Sequence, residues 1–175
     1  MTTTYRRATL AILATLAMVF ALVAGTNRAA NAGHTNPVLV AELDGRSEVG
    51  SGKDNRIVGD PDGRGEIYVF GVDGDPERNT LCYVLLVDKI SEIDAAPGAP
   101  FMAHIHEGGP GENGPVVVTL AWPQGGQAAD CISVGDARIS GTSPAEIFAN
   151  PGSYYVNVHN AEYPAGAVRG QLGSR

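Results

Sequence analysis

The segment Tyr154-Tyr155-Val156-Asn157-Val158-His159 alternates apolar and polar side chains with a period of two. That period belongs to a strand with one buried face, because successive side chains leave opposite sides of an extended backbone. Val156 and Val158 take the apolar face, so Tyr155, Asn157 and His159 leave from the other. Outward from this segment, short apolar stretches recur at 38–43, 66–72, 81–88, 101–106, 116–121, 131–139 and 167–172. The spacers between them are rich in turn-formers, as in Gly59-Asp60-Pro61-Asp62-Gly63 and Gly108-Gly109-Pro110-Gly111-Glu112-Asn113-Gly114-Pro115. Glycine reaches positive φ and proline fixes φ, so these clusters reverse the chain. Eight short strands punctuated in this way predict an all-β sandwich or barrel.

One helix is expected. Ser143 is placed as an N-cap, Pro144 as the first helical residue and Glu146 as the capping-box partner. Asn150-Pro151-Gly152 should stop it near residue 150.

The first segment reads differently. Arg6 and Arg7 precede an uncharged, largely apolar run at 8–24, and Ala30-Asn31-Ala32 follows. A basic start, an apolar stretch and a small-x-small site are the layout of a secretory signal peptide, predicted here as residues 1–32 with cleavage after Ala32. The domain is then 33–175, long enough for one core of its own. The apolar run is at the short end for a membrane span and no second one follows, so no stable membrane insertion is expected after cleavage. The whole chain carries a net charge of −7, and the leader holds three basic residues and no acidic one. Removing it makes the domain more acidic still. Such a surface repels phosphate backbones, which argues against nucleic-acid binding.

Two cysteines remain, Cys82 and Cys131. An exported chain with an even count favours one disulfide over two buried thiols. Closing a loop of about 50 residues would contribute roughly 3–4 kcal/mol by restricting the unfolded chain.

Histidines carry the candidate chemistry. His104 and His106 flank Ile105, and Ile105 takes the apolar face. Both imidazoles therefore leave from the opposite face, in the same phase as His159, and the three are expected on the outer surface of the sheet. Residues two apart along a strand are separated by roughly 6.5–7 Å, and such imidazoles can converge on one ion through bonds of about 2 Å. If the two strands are neighbours, His159 supplies a third nitrogen. Three neutral imidazoles suit copper or zinc, with copper ahead in affinity. The bland alternative is a polar strand face bonded to nearby loops. Asn157 is placed to orient an imidazole, or to fix a turn. His34, exposed as the second residue after cleavage, is either a terminal copper chelator or an ordinary tail histidine.

These segments also carry a resemblance. Ala103-His104-Ile105-His106-Glu107-Gly108, then Gly111, Asn113-Gly114-Pro115-Val116-Val117-Val118 and Leu120, resembles the central motif of CHRD (chordin) domains. Tyr154-Tyr155-Val156-Asn157-Val158-His159, Pro164-Ala165-Gly166 and Arg169-Gly170-Gln171-Leu172 resemble their C-terminal motif. The resemblance spans about 38–172 and is weaker in the middle. It implies a secreted protein with a Greek-key β-sandwich or barrel, superoxide-dismutase-like or immunoglobulin-like. It implies no settled biochemical role.

A more distant resemblance is to the copper site of copper–zinc superoxide dismutases. It implies His104, His106 and His159 as copper ligands and Arg169 as a catalytic, anion-guiding residue. The alternative for Arg169 is a surface ion pair with Glu107, Glu162 or another acid. The zinc half of that site has no counterpart here: no bridging histidine and no zinc-ligand cluster occur in the intervening sequence.

Other chemistry is poorly represented. Ser51-Gly52-Lys53 lacks the phosphate-loop spacing, no Gly-x-Ser-x-Gly elbow occurs, and the acidic turns do not match an EF-hand. Two classes of function stay open. One is a secreted binding module for a metal ion or an extracellular partner, using the outer sheet face and the 107–115 loop. The other is a copper-dependent redox enzyme of superoxide-dismutase type.

Overall fold

The computed structural model describes residues 36–50, 58–90 and 103–175. The predicted leader, His34 and Ser51-Gly52-Lys53 lie outside the described residues.

Among the described residues, nine strands form one antiparallel system: β1 (Val38–Asp44), β2 (Arg64–Gly71), β3 (Thr80–Asp88), β4 (Ala103–Glu107), β5 (Val116–Leu120), β6 (Gln127–Ser133), β7 (Tyr154–Val158), β8 (Val168–Gln171) and the short β9 (Gly173–Ser174). Their lateral order is β5-β4-β7-β8-β1-β2-β3-β6, with β9 paired to β1. The chain just beyond β6 returns to β5 through a bridge between Val118 and Ile139, flanked by hydrogen bonds from Thr119 N to Arg138 O and from Ser140 N to Val117 O. The system is thereby nearly closed, and its circular order is β1-β2-β3-β6-β5-β4-β7-β8. The connections β3 to β4 and β6 to β7 each pass two intervening strands, which is the Greek-key pattern.

The alternation seen in the sequence becomes the inside and outside of this barrel. Leu39, Ala41 and Leu43 of β1 point inward with Ile67 and Val69 of β2, Leu81, Tyr83 and Leu85 of β3, Ile105 of β4, and Val156 and Val158 of β7. Tyr83 keeps its hydroxyl satisfied inside the core by accepting from the Ala121 N–H at 2.6 Å. The helix α1 (Pro144–Ala149) starts and ends as its caps predict, with the Ser143 side chain accepting from Glu146 N. It buries Ile147 and Phe148 in the same core.

One strand is displaced from its expected position. The run at 131–139 was expected as a single strand, yet β6 occupies Gln127–Ser133. Gly135 adopts φ of 90°, and Asp136 accepts through its side chain from Arg138 N, so the chain turns there. The apolar stretch thus spans the end of one strand, a turn and the Ile139 bridge.

Cys82 and Cys131 form the disulfide. They face each other in the β3–β6 ladder with Cα atoms 4.0 Å apart, so the bridge staples adjacent strands.

Candidate metal centre

β4 and β7 are neighbours, the condition that the three-histidine reading required. Their antiparallel ladder pairs His104 with Asn157 and His106 with Tyr155. β8 lies on the other side of β7, pairing Asn157 with Arg169 and Tyr155 with Gln171. Directly paired side chains leave a sheet on the same side. His104, His106, Tyr155, Asn157, Arg169 and Gln171 therefore share the outer face, and His159 follows β7 in the same phase.

A bulge sits beside the pair. The β4–β5 register shifts between Ile105 and His106, leaving Val117 as the extra residue opposite them. Bulges bend a strand and increase its twist, and they are common next to functional sites. Here the bulge also lets both Val117 and Val118 be buried.

The three histidines are brought together. One ring nitrogen from each lies within 4.8 Å of the other two. Ring centroids are separated by 5.6 Å for His104 and His106, 5.3 Å for His104 and His159, and 6.5 Å for His106 and His159. The outward phase holds, but the expected exposure does not: His104 and His106 are each 9% exposed and His159 is 8% exposed. Loops cover this part of the outer face. His106 Nδ1 meets the carbonyl of Gly114 at 2.9 Å, and His159 Nδ1 meets that of Pro164 at 3.1 Å.

Those contacts determine the tautomers. A carbonyl only accepts, so Nδ1 carries the proton in both rings and Nε2 carries the lone pair. His159 Nε2 lies 3.1 Å from Asn157 Oδ1; an amide oxygen cannot donate to a lone pair, so with the proton on Nδ1 the amide would turn over to offer its NH₂ there, or give way to an ion. His106 Nε2 and His104 Nδ1 are buried with no hydrogen-bond partner. Unpartnered buried nitrogens are costly and rare. Two of them, in a cluster where each of three rings brings a nitrogen within 4.8 Å of the others, make a donor set that could hold a metal ion. Three nitrogens sharing an ion evenly through bonds of about 2 Å are at most about 3.5 Å apart, so the rings would need to close by up to about 1.3 Å. The residues fit such an ion.

Charge points the same way. Burial is the main reason that the His104 imidazole is pushed down to about 4, and the neighbouring His159 and His106 lower it further. Burial likewise lowers His106 and His159, partly opposed at His106 by the Gly114 carbonyl and then the neighbouring Asn157 side chain, whose approach falls short of a well-formed bond to Nε2, and at His159 by the Pro164 carbonyl. All three are neutral at physiological pH, the form that ligates metals. Among the described residues, no other group of three His, Cys, Asp or Glu side chains is arranged in this way.

Arg169 is 2% exposed. Its guanidinium carbon lies 3.4 Å from the centre of the Tyr155 ring. Its nitrogens donate to Asn113 Oδ1 at 3.2 Å, Gly109 O at 3.2 Å and Glu112 O at 2.6 Å. No ion pair joins it to Glu107 or Glu162. Gln171 makes similar ties, donating to the carbonyls of Gly108, Gly152 and Tyr154. Gly170, between them, sits where a Cβ would strike the backbone of Glu42, so β8 can lie close to β1 only as glycine.

A family model for the CHRD domain matches residues 39–172. The chain belongs to the CHRD domain family. No curated protein and no solved structure gives a significant match to it. The matched span runs from Leu39 of β1 through β8 and contains all three histidines of the CHRD domain's cluster.

Several participants escaped the sequence reading. Tyr155 was placed on the outer face without a role, yet it stacks on His106 with ring centroids 4.7 Å apart. Glu48 had no signal at all. It is 9% exposed, its Oε1 has no partner, and its carboxylate lies against Gly166, where any side chain would collide with it. Burial raises Glu48 to about 7, against the lowering effect of the nearby Arg169.

Proposed function

We propose that this CHRD domain is an exported binding module that holds one metal ion through His104, His106 and His159, with copper the favoured ion. The observation that carries the reading is that His104 and His106 each bury an unpartnered nitrogen in a cluster where one ring nitrogen from each of the three histidines lies within 4.8 Å of the others. Three neutral nitrogen donors without a carboxylate suit copper or zinc, and copper stands higher in the affinity order. The ion, when bound, would supply a positive centre able to take a further ligand.

Export is supported by the leader-like start, the Cys82–Cys131 bridge and the acidic charge. Among the described residues no helix is long and apolar enough to cross a membrane. A protein partner of extracellular type would meet the outer face around the 107–115 loop.

A redox enzyme of superoxide-dismutase type would use the same ligands and would need Arg169 to guide the anion. The guanidinium is engaged with loop carbonyls, and this favours binding over turnover.

The test is metal analysis of protein purified without a nickel-affinity tag, before and after copper reconstitution. The expected result is about one copper per chain, lost in His104→Ala, His106→Ala and His159→Ala. Less than about a tenth of one equivalent after reconstitution would overturn the proposal. Rapid superoxide turnover by the loaded protein would move the assignment to the enzyme.

A further inference from the structure

We infer that Arg169 is a positioning residue for the metal centre: it holds the nitrogen of His106 in place through the 108–114 loop and Tyr155, and does not itself meet a ligand. The inference rests on the metal-binding reading, but its first test does not need the metal.

Two contacts set His106. The ring plane is set by Tyr155, whose ring is inclined to it by only 10°. The ring's rotation about that plane is set by Gly114, whose carbonyl takes the Nδ1 proton and so turns Nε2 toward the cluster. Remove either contact and the imidazole can flip or exchange tautomers, presenting an N–H where the ion needs a lone pair.

Arg169 secures both. On the strand order, Tyr155 of β7 lies between His106 of β4 and Arg169 of β8. Groups centred 4.7 Å and 3.4 Å from one ring cannot share a face without colliding, so His106 and Arg169 occupy opposite faces. The guanidinium presses on the ring as a cation–π cap. Its planar fork also gathers Gly109 O, Glu112 O and the Asn113 side chain, three acceptors of the loop that ends in Gly114. The Gly114 N–H returns to the Tyr155 hydroxyl at 3.2 Å, which joins the loop to the ring. Gly114 also packs so closely on the Glu107 carbonyl that no other residue fits there. The loop is thus closed from both ends, and only a forked donor reaches all three acceptors.

His159 is an internal control. Its Nδ1 proton goes to Pro164 O, on a different loop that Arg169 does not bond.

The experiment compares wild type, Arg169→Lys and Asn113→Ala by nitrogen-15 NMR of the imidazoles in metal-free protein at pH 8, and by copper affinity in competition with a chelator. Lysine keeps the charge but not the fork. Asn113 is exposed, so its variant is expected to fold even if Arg169→Lys does not. In wild type His106 and His159 should each show a single Nδ1–H tautomer. Arg169→Lys should mix the tautomers of His106 alone and weaken copper at least ten-fold. Asn113→Ala should shift both readouts the same way, with copper weakened about three-fold. Mixing at both histidines would show general loosening and overturn the positioning role, as would an unchanged His106 in both variants. Failure of wild type to take up copper, with the tautomer pattern as expected, would sink the metal reading and leave the positioning of His106 standing.

Discussion

Tyr155 lies flat against His106, with ring centroids 4.7 Å apart and planes 10° apart. Its hydroxyl also accepts the Gly114 N–H. The two contacts separate by mutation. Tyr155→Phe keeps the stack and loses one hydrogen bond, for a cost of about 1 kcal/mol. Tyr155→Ala empties a buried position and should cost about 3–4 kcal/mol. Urea unfolding of the metal-free protein checks both, and equal losses would show that the ring's packing contributes nothing.

His104 presents a buried nitrogen without a partner. Replacing a group of this kind by an apolar side chain of similar size removes a desolvation penalty. His104→Leu should therefore stabilise the metal-free fold, by about 1 kcal/mol, while abolishing metal uptake. A variant both less stable and unable to bind would show that this histidine serves the fold.

Acid titration should divide into two opposing contributions. The His104 imidazole is lowered in the fold from 6.5 to about 4. Its contribution is complete above pH 6.5 and is lost as pH falls through 4, because the unfolded chain takes up the proton first. Glu48 runs the other way, raised from 4.5 to about 7. Its contribution is complete below pH 4.5 and is lost as pH rises through 7. Glu48→Gln should accordingly be more stable than wild type at pH 8 and little different at pH 4.5. His104→Gln should flatten the loss of stability between pH 6.5 and 4. Unfolding midpoints across that range decide both.

The bridge joins residues 49 positions apart. Cys82→Ala with Cys131→Ala should lower stability by about 4 kcal/mol if the unfolded chain is otherwise unstructured. It lies on β3 and β6, whereas the histidines belong to β4 and the end of β7. Copper stoichiometry, measured in conditions where the variant is folded, should stay at the wild-type value.

Strands, helix and the shared phase of the histidines were legible because they depend on neighbours in sequence. Ile105, Val156 and Val158 must point inward, and this alone sends His104, His106 and His159 out. The cap residues of α1 act within one turn, so Ser143 and Glu146 were readable too. The turn at Gly135 is hidden by the apolar residues on either side of it, although Ile132 and Ile139, seven apart, could face the same core only if the strand were interrupted. What could not be read was the cover over the outer face. That cover depends on Arg169 and Gln171 reaching loop carbonyls about 60 residues away, and no local pattern encodes such a distance. Glu48 was invisible for the same reason. Its burial is created by Gly59, further along the chain, and by Gly166, far away in sequence.

The β4–β7 ladder would set when an ion could be taken up. A disordered chain offers at most the His-x-His pair, and the remaining donor joins only after β7 has zipped onto β4. On the proposed metal-binding reading, grip would belong to the native state, and by linkage a bound ion would deepen the very basin that creates its seat. A polypeptide threaded outward as a loose strand would travel without cargo and be charged only at its destination, from whatever metal that compartment offers.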